Sequence, residues 1–239
     1  MSRKASFAET IRRGEDRGQA NHGWLKTSHS FSFADYYDAL HMGFGALRVI
    51  NEDFVEPGYG FGMHAHRDME IITLVLSGQL HHEDSMGHSS TIGPYEVQRI
   101  TAGTGMRHSE FNNGALSTHL LQIWIEPNVR GVAPSYAQKK LPPGFARGRL
   151  GLIASADEHA PLVTMRQDAK MYLGAIHGPE GIVYNLDQSR MAYVHVIKGN
   201  IEVNGHLLRA GDALKTSSPH LVLARGEEAE VLLFDLAQS

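Results

Sequence analysis

Two stretches decide the reading of this chain: GYGFGMHAHRDMEIITLVLSG, Gly58 to Gly78, and TAGTGMRHSEFN, Thr101 to Asn112. Each holds a short cluster, His64-Ala65-His66 and His108-Ser109-Glu110, embedded in strand-like sequence with turn signals. On a β-strand, side chains two residues apart project from one face. Neighbouring strands lie about 4.8 Å apart, so two such pairs side by side bring three imidazoles and a carboxylate to one point. That set suits a first-row transition metal (iron, manganese, cobalt, nickel, copper or zinc) better than calcium or magnesium.

Composition narrows what such a site serves. With 239 residues and 42% hydrophobic content, the chain is long enough for one large all-β unit or two ordinary domains. It contains no cysteine, which excludes disulfides, thiolate metal sites, iron–sulfur clusters and cysteine nucleophiles, and fits a reducing compartment. A net charge of -4, with Lys139-Lys140 the one compact basic pair in mid-chain, argues against direct nucleic-acid binding. Apolar runs such as Ile71 to Leu76 are far too short to span a bilayer, so a cytoplasmic soluble protein is expected.

Outward from the two clusters, Met1 to Gln19 reads as a short polar helix or an arm. Phe31 and Phe33 alternate with serines as in a strand, and Gly43 to Asn51 reads as another. Met69 to Leu76, the break at Ser77-Gly78 and Gln79 to Glu83 read as a hairpin, followed by strands over Glu96 to Ile100 and Ser117 to Glu126. Many short strands with regular turn signals predict an antiparallel barrel or sandwich. Pro127 to Arg149, rich in Pro and Gly, reads as a linker, giving an N-terminal domain over 1–133 and a second over 134–239. The second half repeats the pattern: with Gly199 laid on Gly78, Asn185 and Asp187 fall opposite His64 and His66. This copy therefore lacks the ligand cluster, and one metal per chain is expected. His81 and His82 are adjacent and point to opposite faces. Both, with His88, His119, His195 and His206, read as structural.

The motifs carry a resemblance. Gly58, His64-x-His66, Glu70 and Gly78 resemble the first cupin motif with one extra residue before the last glycine, and Gly103-x-Gly105-x-x-His108-x-x-x-Asn112 resembles the second, with Gly103 where proline is usual. PGYGFGMHAHRDMEIITLVLSG, EDSMG at Glu83 to Gly87, TAGTGMRHSEFN and LLQIWIEP together resemble the pirin family. The resemblance implies an all-β bicupin of two antiparallel double-stranded β-helix (jelly-roll) domains. It implies metal ligands His64, His66, His108 and Glu110, with one divalent metal per chain, Fe(II) foremost. The general cupin pattern offers Glu70 as the alternative carboxylate. The resemblance further implies a quercetin 2,3-dioxygenase-like enzyme that opens a flavonol with dioxygen and releases carbon monoxide, Glu110 being the catalytic base. A metal-dependent regulatory protein without turnover is the runner-up, and a monomer is expected.

Overall fold

The computed structural model describes residues 8–157 and 162–238, so the Met1 to Phe7 part of the expected N-terminal helix or arm lies outside the described residues. The rest of that segment is not α-helical: Thr10–Arg12 is a strand, and Gly14–Asp16 a single 3-10 turn. Nearly everything else is β-structure, and no helix of the described residues is long and apolar enough to cross a membrane.

The chain forms two compact units. The first contains a seven-stranded antiparallel sheet in the order Ser135–Lys140, Glu96–Thr101, Glu70–Ser77, Thr118–Ile125, Leu47–Val55, Leu25–His29, Gly18–Asn21. Facing it is a four-stranded antiparallel sheet in the order Gly60–His66, Met106–Phe111, Leu80–Asp84, Ser89–Ile92. The faces meet through Leu25, Val55, Val75 and Leu120 of the large sheet against Leu80 and Ile92 of the small one. Alternation drives this packing, because every second residue of Thr118–Ile125 points to the space between the sheets. The result is a jelly-roll sandwich.

The expected hairpin around Ser77-Gly78 is not one. Glu70–Ser77 pairs with Glu96–Thr101 and Thr118–Ile125, whereas Leu80–Asp84 pairs with Met106–Phe111 and Ser89–Ile92. Gly78, in the left-handed region, is where the chain leaves one sheet for the other. Turn residues look alike in a hairpin and in a crossing between layers, so local sequence does not separate the two. Ser135–Lys140, read as linker, is hydrogen-bonded along Glu96–Thr101, so the first unit continues to Leu141. The described residues through Arg17 belong to the second unit: Thr10–Arg12 pairs with Ala213–Thr216, and Glu9 accepts hydrogen bonds from Asn204 Nδ2 (2.6 Å) and Thr216 Oγ1 (3.0 Å).

The second unit is built from three long strands, Ala169–Asn185, Arg190–Val203 and His220–Ala237, with a core that includes Val194, Val203, Leu223, Val231 and Leu233. Twelve residues of flat strand would span about 40 Å, yet the Tyr172 and Tyr184 rings are 5.3 Å apart, so Ala169–Asn185 folds over on itself at its bulges between Ile176 and Gly181. Arg190–Val203 bends likewise around Gly199, with bulges between Val196 and Glu202. Gly199 has φ +70, and a Cβ there would sit 2.2 Å from the Glu227 carbonyl oxygen. Gly199→Ala is therefore expected to destabilise the protein by about 2–4 kcal/mol, read as a lowered denaturation midpoint in urea.

Candidate metal centre

The site is assembled by register. Gly60–His66 lies antiparallel to Met106–Phe111 with His64 opposite His108 and His66 opposite Met106, which puts His64, His66 and His108 on one face. A bulge between His108 and Glu110 shifts the register, so Glu110 comes opposite Phe61 and the two strands close up. Gly60 allows this approach: a Cβ there would stand 2.1 Å from the Glu110 carbonyl oxygen.

His108 Nε2 lies 2.9 Å from His64 Nε2 and 3.0 Å from His66 Nε2. His64 donates its Nδ1 proton to the Gly62 carbonyl (2.8 Å), so in the neutral ring its Nε2 carries only a lone pair. A hydrogen on His108 Nε2 could serve just one of its two neighbours. The three nitrogens therefore turn at least two lone pairs toward one point. Two ligands at right angles on a metal about 2.1 Å from each stand about 3.0 Å apart, which is the spacing present here. The residues fit a divalent transition metal. Burial, helped by the repulsion of neighbouring imidazolium charge, holds His66 down at about 4 and His108 lower still, so both rings are neutral at ordinary pH, the form in which an imidazole can ligate a metal.

Glu110 is buried, and its Oε2 accepts a hydrogen bond from Gln122 Nε2 (3.0 Å), whose Oε1 accepts one from Trp124 Nε1 (3.2 Å). Oε1 of Glu110 has no hydrogen-bond partner among the described residues. Burial, and to a lesser extent the nearby Asp53 carboxylate, raises its pKa to about 7 against the relief given by Gln122. The structure groups Glu110 with His108 and a further histidine, His82, and not with all three of His64, His66 and His108.

Glu70 lies elsewhere. Ile71 is opposite Trp124, whose ring packs edge-on against His66 at 5.0 Å, so Ile71 faces the sandwich interior and Glu70 the other side. The shared parity of His66 and Glu70 fails because Asp68, at φ +47, turns the chain between them. Glu70 instead accepts a hydrogen bond from Thr101 Oγ1 (2.9 Å).

Sequence reasoning missed three residues here. His81 and His82 do take opposite faces, but His82 is fully buried with its Nδ1 3.4 Å from His108 Nδ1. The available signal was His82-x-Asp84, a pair of shared parity ending in a turn. Gln122 and Trp124 carried none, since both read as part of an apolar strand. Met106 is core, whereas Met63 is half exposed. Trp24 packs on Phe61, while Phe33, Tyr36, Tyr37, Met69 and Trp124 line a cavity of about 370 Å³. In the second unit, Asn185 Oδ1 is hydrogen-bonded to His220 Nδ1 (2.9 Å).

Two stacked sheets carrying a histidine cluster at their interior define a cupin-type protein. Residues 10–125 match the family model described as Pirin, and residues 152–236 that of the quercetinase C-terminal cupin domain. The chain is 42% identical over 228 residues to a protein of Escherichia coli (strain K12) named quercetin 2,3-dioxygenase, covering 95% of this chain and 97% of that one. It is 40% identical over 222 residues to a pirin-like protein of Caulobacter vibrioides, covering 92% and 96%. A crystal structure of a bacterial pirin from Escherichia coli in complex with nickel(II) superposes with a TM-score of 0.91 at 40% identity, covering 97% of this chain and all of that one. This chain belongs to the pirin family.

The buried acids set the pH response of the metal-free protein. Burial raises Glu70 from 4.5 to about 7, against the opposing effects of Thr101, Arg99 and Arg166. A carboxyl whose pKa is higher folded than unfolded contributes stability below its unfolded value, and that contribution is lost as pH rises through about 7. Glu70→Gln is expected to raise the Tm of the metal-free protein at pH 8 and leave it nearly unchanged at pH 4, by differential scanning calorimetry.

Proposed function

We propose that this chain is a metal-dependent dioxygenase that opens the central ring of quercetin-like flavonols and releases carbon monoxide. The observation that carries the reading is the convergence of the His64, His66 and His108 Nε2 atoms, with a buried carboxyl beside them. The name of the Escherichia coli relative supports the choice of substrate. His64, His66 and His108 would hold one divalent transition metal, Fe(II) foremost, with Glu110 completing the set. When bound, such an ion supplies Lewis acidity and access to dioxygen chemistry.

The chain's own residues supply the rest. Glu110 takes the flavonol 3-hydroxyl proton: its pKa near 7 balances availability of the base against driving force, and its unpartnered Oε1 is free to receive the proton. Gln122, anchored by Trp124, holds the other carboxyl oxygen in place. The sandwich interior excludes water from this proton transfer. Glu110 serves in part as a ligand and in part as a base, which accords with its position to one side of the three imidazoles.

Under air, the metal-loaded protein is expected to bleach the visible absorbance of quercetin with release of carbon monoxide, and chelator, anaerobiosis or His108→Ala to abolish both. Glu110→Gln is expected to retain most of the metal and lose about 100-fold or more in kcat, the scale of a general base. Bleaching that survives the chelator is autoxidation. A fully metal-loaded protein that leaves quercetin untouched would overturn the dioxygenase reading in favour of a regulatory one.

A further inference from the structure

Behind the three-histidine cluster, a line of side chains runs from His108 to the surface. His108 Nδ1 lies 3.4 Å from His82 Nδ1, and His82 Nε2 lies 3.3 Å from Asp84 Oδ2. The Asp84 carboxylate is itself fixed: Oδ1 accepts the backbone N–H groups of Met86 (2.8 Å) and His88 (3.0 Å), and Oδ2 lies 2.9 Å from His88 Nδ1. Tyr136 stacks on both the His82 ring (5.1 Å) and the His88 ring (4.8 Å), which sets their planes. His82 and the Asp84 side chain are completely buried.

The protons on this line follow from what each group can do. A carboxylate only accepts, so His82 Nε2 carries the hydrogen that meets Asp84, and in the neutral ring His82 Nδ1 is left with a lone pair. That lone pair faces His108 Nδ1, which must then be the donor. His108, neutral and protonated at Nδ1, presents a bare Nε2 to His64 and His66. We infer that His82 and Asp84 are positioning residues that lock His108 in the tautomer and ring orientation needed to ligate a metal through Nε2. The inference rests on the metal-centre reading above, but not on any flavonol activity. It also gives the grouping of His82, His108 and Glu110 a use other than a second metal site, because His108 Nδ1 is already spent as a donor.

The test uses the full chain, freed of metal and titrated anaerobically with nickel(II) against a competing chelator, and with cobalt(II) for its ligand-field absorption. His82→Leu and Asp84→Asn are expected to weaken nickel(II) binding about 10- to 100-fold, the range for loss of a partner that orients a metal-ligating histidine, and to shift the cobalt(II) bands. His82→Asn, whose side-chain oxygen can take the place of the Nδ1 acceptor, is expected to restore most of the affinity and the native spectrum. A purely structural role would show in urea denaturation of the metal-free variants without spectral change and without selective rescue by Asn. Should His82→Leu not fold, Asp84→Asn and His82→Asn still decide the matter through their spectra. Wild-type affinity and spectrum in His82→Leu or Asp84→Asn would overturn the inference alone. A wild-type protein that binds no nickel(II) or cobalt(II) would overturn the metal-centre reading beneath it. Two metal equivalents per chain, the second lost with His82, would show that His82 is itself a ligand.

Discussion

His108 Nε2 held about 3 Å from both His64 Nε2 and His66 Nε2 imposes the constraint on which the site in the first unit depends. Lone pairs brought this close repel, and the arrangement persists only because the surrounding sheets fix it or because a cation sits among them. The fixing comes from a single register: His64 opposite His108 on adjacent strands, with the side-chain alternation of β-structure placing His66 on the same face. A one-residue slip of either strand would turn the cluster outward. The apolar contacts between the two sheets, Leu80 and Ile92 against Val55, Val75 and Leu120, oppose such a slip.

Around that register, the sequence departs from regular strand where chemistry requires it. The register shift between His108 and Glu110 and the side-chain-free Gly60, opposite Phe111, set where Glu110 enters the interior. Inside, Glu110 meets a wall that is polar only where it has to be: Gln122 to hold one carboxyl oxygen, Trp124 to hold Gln122 and pack against His66. Burial then keeps the His66 and His108 rings neutral and lifts the Glu110 carboxyl toward neutrality, two conditions for metal ligation and for proton transfer at physiological pH. The second unit shares the architecture of bent antiparallel strands but places Asn185 beside His220 in a plain hydrogen bond.

The parts of this arrangement governed by local spacing were legible in the sequence. His-x-His and His-x-Glu on strands announced a shared face, and the three histidines do meet. Glycine and alternation announced the strands themselves, so Met69 to Leu76, Glu96 to Ile100 and Ser117 to Glu126 lie within a residue or two of those observed. What was not legible depended on contacts distant in sequence. Whether Gly78 ends a hairpin or carries the chain to another sheet, and whether Ser135–Lys140 is linker or strand, is decided by partners 24 to 55 residues away. Asp68 in the left-handed region reversed the face of Glu70 with no turn residue stronger than an aspartate to signal it. Adjacency of His81 and His82 shows only that one of the two points inward, and which one is set by the pairing of Leu80–Asp84 with Met106–Phe111.

On the proposed reading, the three Nε2 atoms form the metal seat. Anomalous diffraction from a nickel-loaded crystal, collected on both sides of the metal absorption edge, tests it most directly. The account predicts one anomalous peak per chain, about 2.1 Å from the Nε2 atoms of His64, His66 and His108. A peak on the Nδ1 side of His108, between His82 and Glu110, or a metal bound to Glu70, would contradict it.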